Sequence, residues 1–249
     1  MPLTFSIITC TWNSEPFLAQ SIASVLAQDY SHIEYVFVDG GSSDGTLERI
    51  RALQRPYVLV ENVRGGISNA MNAGAQVATG DVIAHLHSDD YYLRPDALST
   101  VARQMESMDR GWLFGRIALD VGGDLRSENF VVPRYSPQRL LRGNFIPHPA
   151  TFVRRHLFAQ AGGFDTALKY AMDTDLWLKL ARYGDPVQLD EALAAFREHA
   201  GSLSTSNRLA AMKEDFRVRL SHAGWSPVAL AMHYARFLVR RRSALASEV

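Results

Sequence analysis

The chain of 249 residues has a single cysteine, Cys10. That excludes a disulfide framework and a cysteine-only zinc site, and it fits a reducing compartment. No run of about 18 apolar residues occurs, so no membrane-spanning helix is expected. Residues 1–9 lack a basic region followed by a long apolar stretch, so no secretory signal is expected. Neither charge sign is in excess: 26 Lys and Arg face 26 Asp and Glu. That balance argues against coating of nucleic acid by bulk charge. There is no GxxxxGKS/T phosphate loop, no GxGxxG after the first apolar run and no HExxH pair. Two common nucleotide-binding routes and one zinc-hydrolase arrangement are thereby set aside.

What is present is ordinary globular usage, 47% apolar and 21% charged, at a length that suits one large domain with or without an appendage. The charge is unevenly placed. Residues 217–249 hold six arginines and one acid, Glu248, whereas the rest of the chain holds 20 bases and 25 acids. We expect a catalytic domain over 1–205 and a basic helical extension over 206–249.

Apolar runs at 3–9 (LTFSIIT), 33–38 (IEYVFV), 57–60 and 82–86 predict buried strands. Helical spacing follows Ser14-Glu15-Pro16, covers 46–53 and 67–77, and resumes near Pro95-Asp96. Strands alternating with helices imply βαβ units and a mostly parallel sheet. Later, 112–121 and 125–132 predict a hairpin, 146–153 a strand and 173–183 a helix. The polar clusters at 9–13, 39–44 and 87–90 each fall just past a predicted strand end. In such sheets that edge binds ligands.

Several residues within these clusters are chemical candidates, each with a structural alternative. Asp89 and Asp90 repel unless a cation or donors hold them, and hard oxygen ligands suit Mg2+ or Mn2+. An acidic turn leading into Tyr91-Tyr92 is the alternative. Asp39 is placed to accept from a ribose or base, or to close an Asx turn. His148, between Pro147 and Pro149, is expected to be an exposed, positioned side chain. His148 and Asp175 are candidates on the acceptor side. His199 is a candidate for a metal or diphosphate, with a structural role as its alternative. Asp173 and Asp175 open a helix, either complementing its dipole or supplying a general base. Trp177 reads as core.

Five stretches, FSIITCTWNSEPFLAQSIASVLAQDYSHIEYVFVDGGSSDGT, GGISNAMNAGAQVATGDVIAHLHSDDYY, HPATFVRRHLF, GGFDTALKYAMDTDLWLKL and FREHAGSLS, resemble family 2 glycosyltransferases of the bacterial exopolysaccharide and colanic-acid type. The likeness runs in order over about residues 4–205. It implies a GT-A fold, a Rossmann-like α/β sheet flanked by helices, followed here by the C-terminal helical extension. It also implies a nucleotide-diphospho-sugar donor, with UDP preferred, a divalent cation (Mg2+ or Mn2+) and inversion at the anomeric carbon. By the same resemblance Thr9, Asn13, Glu15, Asp39, Gly66, Asn72, His87, Ser88 and Asp89 line the donor. Asp89, Asp90 and His199 hold the metal, and Asp173 is the base. Two positions depart from the pattern. His87 replaces the first acid of the metal motif, and Met172 replaces the acid before the base, which is expected to raise the base's pKa less.

The expected activity is transfer to a saccharide or lipid-linked saccharide in surface-polysaccharide assembly, in the cytoplasm or peripherally on the inner membrane face. A catalytically weak or silent nucleotide-sugar-binding module is the alternative. From Ser226-Pro227 onward, Val228, Met232, Phe237 and Leu238 alternate with a stripe of His233, Arg236 and Arg240. Such a helix suits an anionic membrane surface, or equally packing on the domain or on a second copy of the chain.

Overall fold

A computed structural model describes residues 1–107, 111–127, 132–199 and 207–224, with Tyr234 and Leu238 besides. The expected helix from Ser226 onward lies outside the described residues, apart from those two positions.

The N-terminal half follows the βαβ expectation. Strand β1 (Phe5–Thr11) pairs in parallel with β2 (Ile33–Asp39) and β4 (Val82–His85), and β2 pairs in parallel with β3 (Val58–Val60). Helices α1 (Glu15–Leu26), α2 (Thr46–Arg51) and α3 (Ile67–Val77) make the crossovers. Every residue of β1 is buried, as expected of a strand covered on both faces. Phe5 and Ile7 join the apolar layer holding Leu18, Ile22 and Val25 of α1. Ile8 and Cys10 join the layer holding Met71 of α3. A methyl group on Gly74 would sit 2.5 Å from Ile8 Cγ2, so glycine is what lets α3 lie close against β1.

The second half extends the sheet with mixed polarity. The order is β3-β2-β1-β4-β8-β6-β9-β5, with β7 (Asp124–Ser127) paired to β6 (Trp112–Val121). Strand β8 (Thr151–Arg154) runs antiparallel to β4 and to β6, and β9 (Val187–Glu198) runs parallel to β6. The two-residue strand β5 (Tyr91–Tyr92) is antiparallel to β9. Helix α4 (Ala97–Ser107) covers the α1 face. Helices α6 (Arg155–Gln160) and α7 (Met172–Leu180) cover the other, and α5 (Pro137–Leu140) is one short turn.

The expected strand over 146–153 is shorter than predicted. A 3-10 turn occupies His148–Ala150 and β8 begins only at Thr151. Pro147 and Pro149 have no N–H to give a ladder, which delays the strand. Helix α8 (Arg208–His222) packs on α7, with Val218 buried among the side chains around Trp177. Trp177 is core, as expected.

Candidate active site

The carboxyl ends of β1 and β2 meet in a dense set of hydrogen bonds. Asp39 is fully buried. Its Oδ1 accepts from the N–H groups of Gly41 and Ser42, both at 2.8 Å, and its Oδ2 from Thr11 Oγ1 at 2.8 Å and Ser42 Oγ at 2.6 Å. Burial alone would raise its pKa, but the bonds from Ser42, Thr11 and Gly41 outweigh it and hold the carboxyl below its ordinary value. These bonds are the Asx-turn arrangement named above as the alternative for Asp39. Asp39 organises the turn, and it can reach a ligand only where one of these bonds, such as that from Ser42 Oγ, yields. Gly41 has φ 94°, and Arg64 Nη2 lies 3.1 Å from where its side chain would start.

The β1 end shows a related shift. Thr9 is buried, with its hydroxyl 3.5 Å from that of Tyr35. It does not line an open cleft, because the two-residue period of the strand turns it into the α1-side layer. The exposed residues at this end are Trp12, at 70%, and Asn13. Asn13 has φ 49°, donates its N–H to Ser42 Oγ at 2.9 Å, and accepts from the Ser43 N–H at 2.9 Å. Glu15 faces Arg49 at 3.3 Å on the surface. Gly66, φ 90°, heads α3 with open space beside its Cα.

The loop after β4 carries His87, Ser88, Asp89 and Asp90. Ser88 Oγ donates to Ser14 Oγ at 2.8 Å, which ties this loop to the β1–α1 turn. His199, just past β9, brings Nε2 to 3.0 Å from Asp89 Oδ2 and packs its ring 4.6 Å from that of Phe17. Asp90 behaves differently. It is 1% exposed and accepts from the Arg197 N–H at 3.1 Å. Burial, aided by the Asp89 charge, raises its pKa well above the ordinary carboxylate value. In this arrangement Asp90 latches β9 through the Arg197 N–H, while Asp89 faces His199. The Arg197 guanidinium lies 5.0 Å from the Phe17 ring centre and 5.3 Å from that of Tyr91, with Nε 3.4 Å from Asp120 Oδ2.

His87 stacks on His148, with ring centres 4.7 Å apart and planes 6° apart, and His85 lies 5.9 Å from His148. The expected exposed histidine is thus a half-buried one. Among the described residues His148 Nε2 is buried with no hydrogen-bond partner, and burial with the two neighbouring rings holds its pKa well below the ordinary value. The same ring lies 6.0 Å from Trp177 of α7. Hydrogen bonds, chain neighbours and ring packing thus link the Asp39 turn, by way of Asn13 and Ser14, to Ser88, His87, His148 and α7.

At the head of α7, Asp173 is half-buried. Its Oδ2 accepts from Asn144 Nδ2 at 3.0 Å and its Oδ1 from the Thr174 N–H at 2.6 Å. Burial pushes this carboxyl up to about 6; the charge of Asp215 adds to the rise, and the bonds from Thr174 and Asn144 oppose it. A like charge reaches this carboxyl from Asp215 of α8, elsewhere in the chain. Asp175, one residue beyond Thr174, is buried and pairs with Lys179 and with His222, each at 2.7 Å. It faces α8. Asn72 also departs from expectation. Its amide donates to the Phe164 carbonyl at 2.8 Å and accepts from the Phe164 N–H at 3.0 Å, pinning the 162–165 loop to α3.

The sequence model described as Glycosyl transferase family 2 matches residues 6–160. The chain belongs to glycosyltransferase family 2. A glycosyltransferase of Mycobacterium tuberculosis, MT1564, is 31% identical over 200 residues, which cover 78% of this chain and 74% of the relative. A PGL/p-HBAD biosynthesis glycosyltransferase of Mycobacterium bovis is 29% identical over 81% of this chain and 79% of its own. Among solved structures, S. aureus TarS 1–349 in complex with UDP-GlcNAc superposes with a TM-score of 0.72 at 20% identity, covering 94% of this chain and 70% of that one. The mannosyltransferase PcManGT of Pyrobaculum calidifontis, in complex with GDP-Man and Mn2+, gives 0.67 at 18% identity, covering 100% and 79%. At these identities the likeness shows the fold, which is GT-A.

In this family 2 glycosyltransferase, a cation site would rest on Asp89 and His199. Among the described residues no three His, Cys, Asp or Glu side chains converge as a ligand set. One carboxylate and one imidazole fit a Mn2+-type ion that takes its remaining ligands from a diphosphate and water. Thr11, Ser42, Trp12, Asn144 and Asp215 were not singled out by sequence reasoning. Trp12, a large aromatic between polar residues at a predicted strand end, carried a readable signal. Asp215 carried none, because nothing local ties it to a residue 42 positions away.

Proposed function

We propose that this glycosyltransferase moves a sugar from a nucleotide-diphospho-sugar, UDP-linked by preference, to a hydroxyl of a saccharide or lipid-linked saccharide, with inversion, in surface-polysaccharide assembly. The observation that carries the reading is Asp173. It is a half-buried carboxyl at a helix head, pushed up to about 6 by burial and held in place by Asn144 and Thr174. A base of that strength is ionised at neutral pH, yet it accepts a proton more readily than an ordinary aspartate.

In the reaction, the acceptor oxygen attacks the anomeric carbon from the face opposite the diphosphate. Its proton passes to Asp173. The anomeric carbon–oxygen bond to the diphosphate breaks, and the nucleoside diphosphate leaves. Trp12 offers an exposed aromatic face for the base, beside the Asp39–Ser42 turn. Asp89 and His199 would hold a divalent ion, which when bound neutralises charge on the departing diphosphate. Aligning two substrates in one cleft supplies much of the remaining rate enhancement. The TarS complex with UDP-GlcNAc and the PcManGT complex with Mn2+ support this choice of donor class and ion.

Among the described residues no helix is long and apolar enough to cross a membrane. The arginine-rich residues 236–242 support contact with an anionic membrane surface that presents a lipid-linked acceptor.

The test is Asp173→Asn with a UDP-sugar series. Donor binding is expected to persist while transfer falls by about 100- to 10,000-fold. Undiminished transfer overturns the assignment. Absence of UDP release from every donor in the wild-type protein would favour the silent binding module.

A further inference from the structure

Helix α8 makes its charged contacts with the segment that presents Asp173. The Glu214 carboxylate accepts from three successive backbone N–H groups, those of Lys169 at 3.1 Å, Tyr170 at 2.5 Å and Ala171 at 2.9 Å. Ala171 precedes α7 and gives it no side-chain cap. Glu214 therefore supplies from a distance the negative charge that the positive end of α7 favours. One residue on, Asp215 Oδ1 accepts from Thr174 Oγ1 at 3.4 Å, and its Oδ2 pairs with Arg219. Arg219 is buried and also donates to the Arg142 carbonyl at 2.9 Å, two residues before the Asn144 that holds Asp173. Further along α7, His222 closes the contact on Asp175.

We propose that α8 is a positioning element for the catalytic carboxylate: Glu214 fixes the backbone entering α7, and the Asp215–Arg219 pair sets the charge beside Asp173. The proposal rests on the reading of Asp173 as base. Among the described residues, the groups touching that carboxyl are Asn144, Thr174 and, by charge, Asp215, with Arg219 behind it. Asp175, Lys179 and His222 form a separate cluster farther along the helix.

Two substitutions act in opposite directions. Asp215→Asn removes the like charge and leaves Arg219 without its carboxylate partner. Arg219→Gln leaves Asp215 uncompensated. The full-length protein is labelled with 13C at aspartate carboxyl carbons, and the Asp173 resonance is identified by its loss in Asp173→Asn. Its titration midpoint is then followed alongside the acidic limb of kcat/KM. The expected result is a midpoint lowered by roughly one pH unit in Asp215→Asn and raised in Arg219→Gln, with the donor KM unchanged. Asp215→Glu restores the wild-type midpoint. Movement of both substitutions in one direction, or of neither, overturns the proposal, and if one variant does not fold the sign of the other decides. Glu214→Gln is expected to lower kcat with the donor KM retained, and a changed KM with constant kcat counts against its role. The resonance reports the coupling whether or not transfer depends on Asp173. Transfer persisting in Asp173→Asn therefore sinks the base assignment alone, whereas an unmoved midpoint sinks the α8 proposal alone.

Discussion

His199 Nε2 stands 3.0 Å from Asp89 Oδ2, so the residue just past β9 meets the loop just past β4 across 110 positions of sequence. Two elements hold the pair in register. Ser88 is tied to Ser14 on one side, and the Arg197 backbone is tied to Asp90 on the other.

From that contact follows a metal prediction. On the proposed site of Asp89 and His199, loss of either side chain would leave a single protein ligand. His199→Ala is expected to weaken Mn2+ activation by at least about 10-fold, and Asp89→Asn by more. The check is a Mn2+ titration of UDP-sugar turnover after chelation. Superimposable activation curves for wild type and His199→Ala would remove His199 from the site.

Asp90 separates a ligand role from a latch role. Asp90→Asn keeps an oxygen that can accept from the Arg197 N–H, and it removes a buried carboxyl that the neighbouring Asp89 charge destabilises. We expect an unchanged or higher Tm and an unchanged Mn2+ dependence. Asp90→Leu loses the acceptor altogether. It is expected to cost about 1–3 kcal/mol of stability through an unpaired buried N–H. A Mn2+ requirement that shifts in Asp90→Asn would return Asp90 to the ligand set.

The fold's first half was legible because its signals are local. Period and punctuation place β1, β2, α3 and β4 within two residues of where they lie. The strand β9 was not anticipated, because 187–198 mixes acids, alanines and an arginine, and its burial comes from β6 and β5 on either side. For the candidate site, residue types could be read from the sequence and side-chain directions could not: Thr9, Asn72, Asp90 and Asp175 each bond to a protein group. A one-residue change of strand phase, or 100° around a helix, separates lining a cleft from bracing it. Charges supplied from afar, as by Asp215 to Asp173, follow from packing and leave no local mark.

Trp12 is predicted to hold the nucleoside. It is 70% exposed beside the Asp39–Ser42 turn, where an aromatic of its size gains little from the fold and can gain from a stacked base. Trp12→Ala is expected to weaken donor binding by about 1–3 kcal/mol, the usual worth of one base–aromatic stack, with Tm unchanged. Trp12→Phe should recover most of the loss. Calorimetric titration with UDP measures this directly, and equal affinity in wild type and Trp12→Ala would exclude the stack.

The raised pKa of Asp173 also has a consequence for stability. Its carboxyl moves from an ordinary 3.8 to about 6 in the fold, chiefly through burial. Between those values the folded chain binds more protons than the unfolded chain, so stability falls as pH rises through that window. Above pH 6 the ionised base is a burden of up to about 3 kcal/mol, lessened by its partial exposure to solvent. Asp173→Asn removes that burden while keeping a group that Asn144 and Thr174 can bond. The variant should therefore melt higher than wild type at pH 8, with the gain fading toward pH 4, where the wild-type carboxyl is itself neutral. The same pH range should carry the acidic limb of kcat/KM, because the protonated carboxyl cannot take a proton from the acceptor. Thermal melts at pH 4 and pH 8 check the first statement and a pH–rate profile the second. A Tm for Asp173→Asn at or below wild type at pH 8 would mean that the carboxyl is stabilised where it sits, and a group so stabilised would be a poor base.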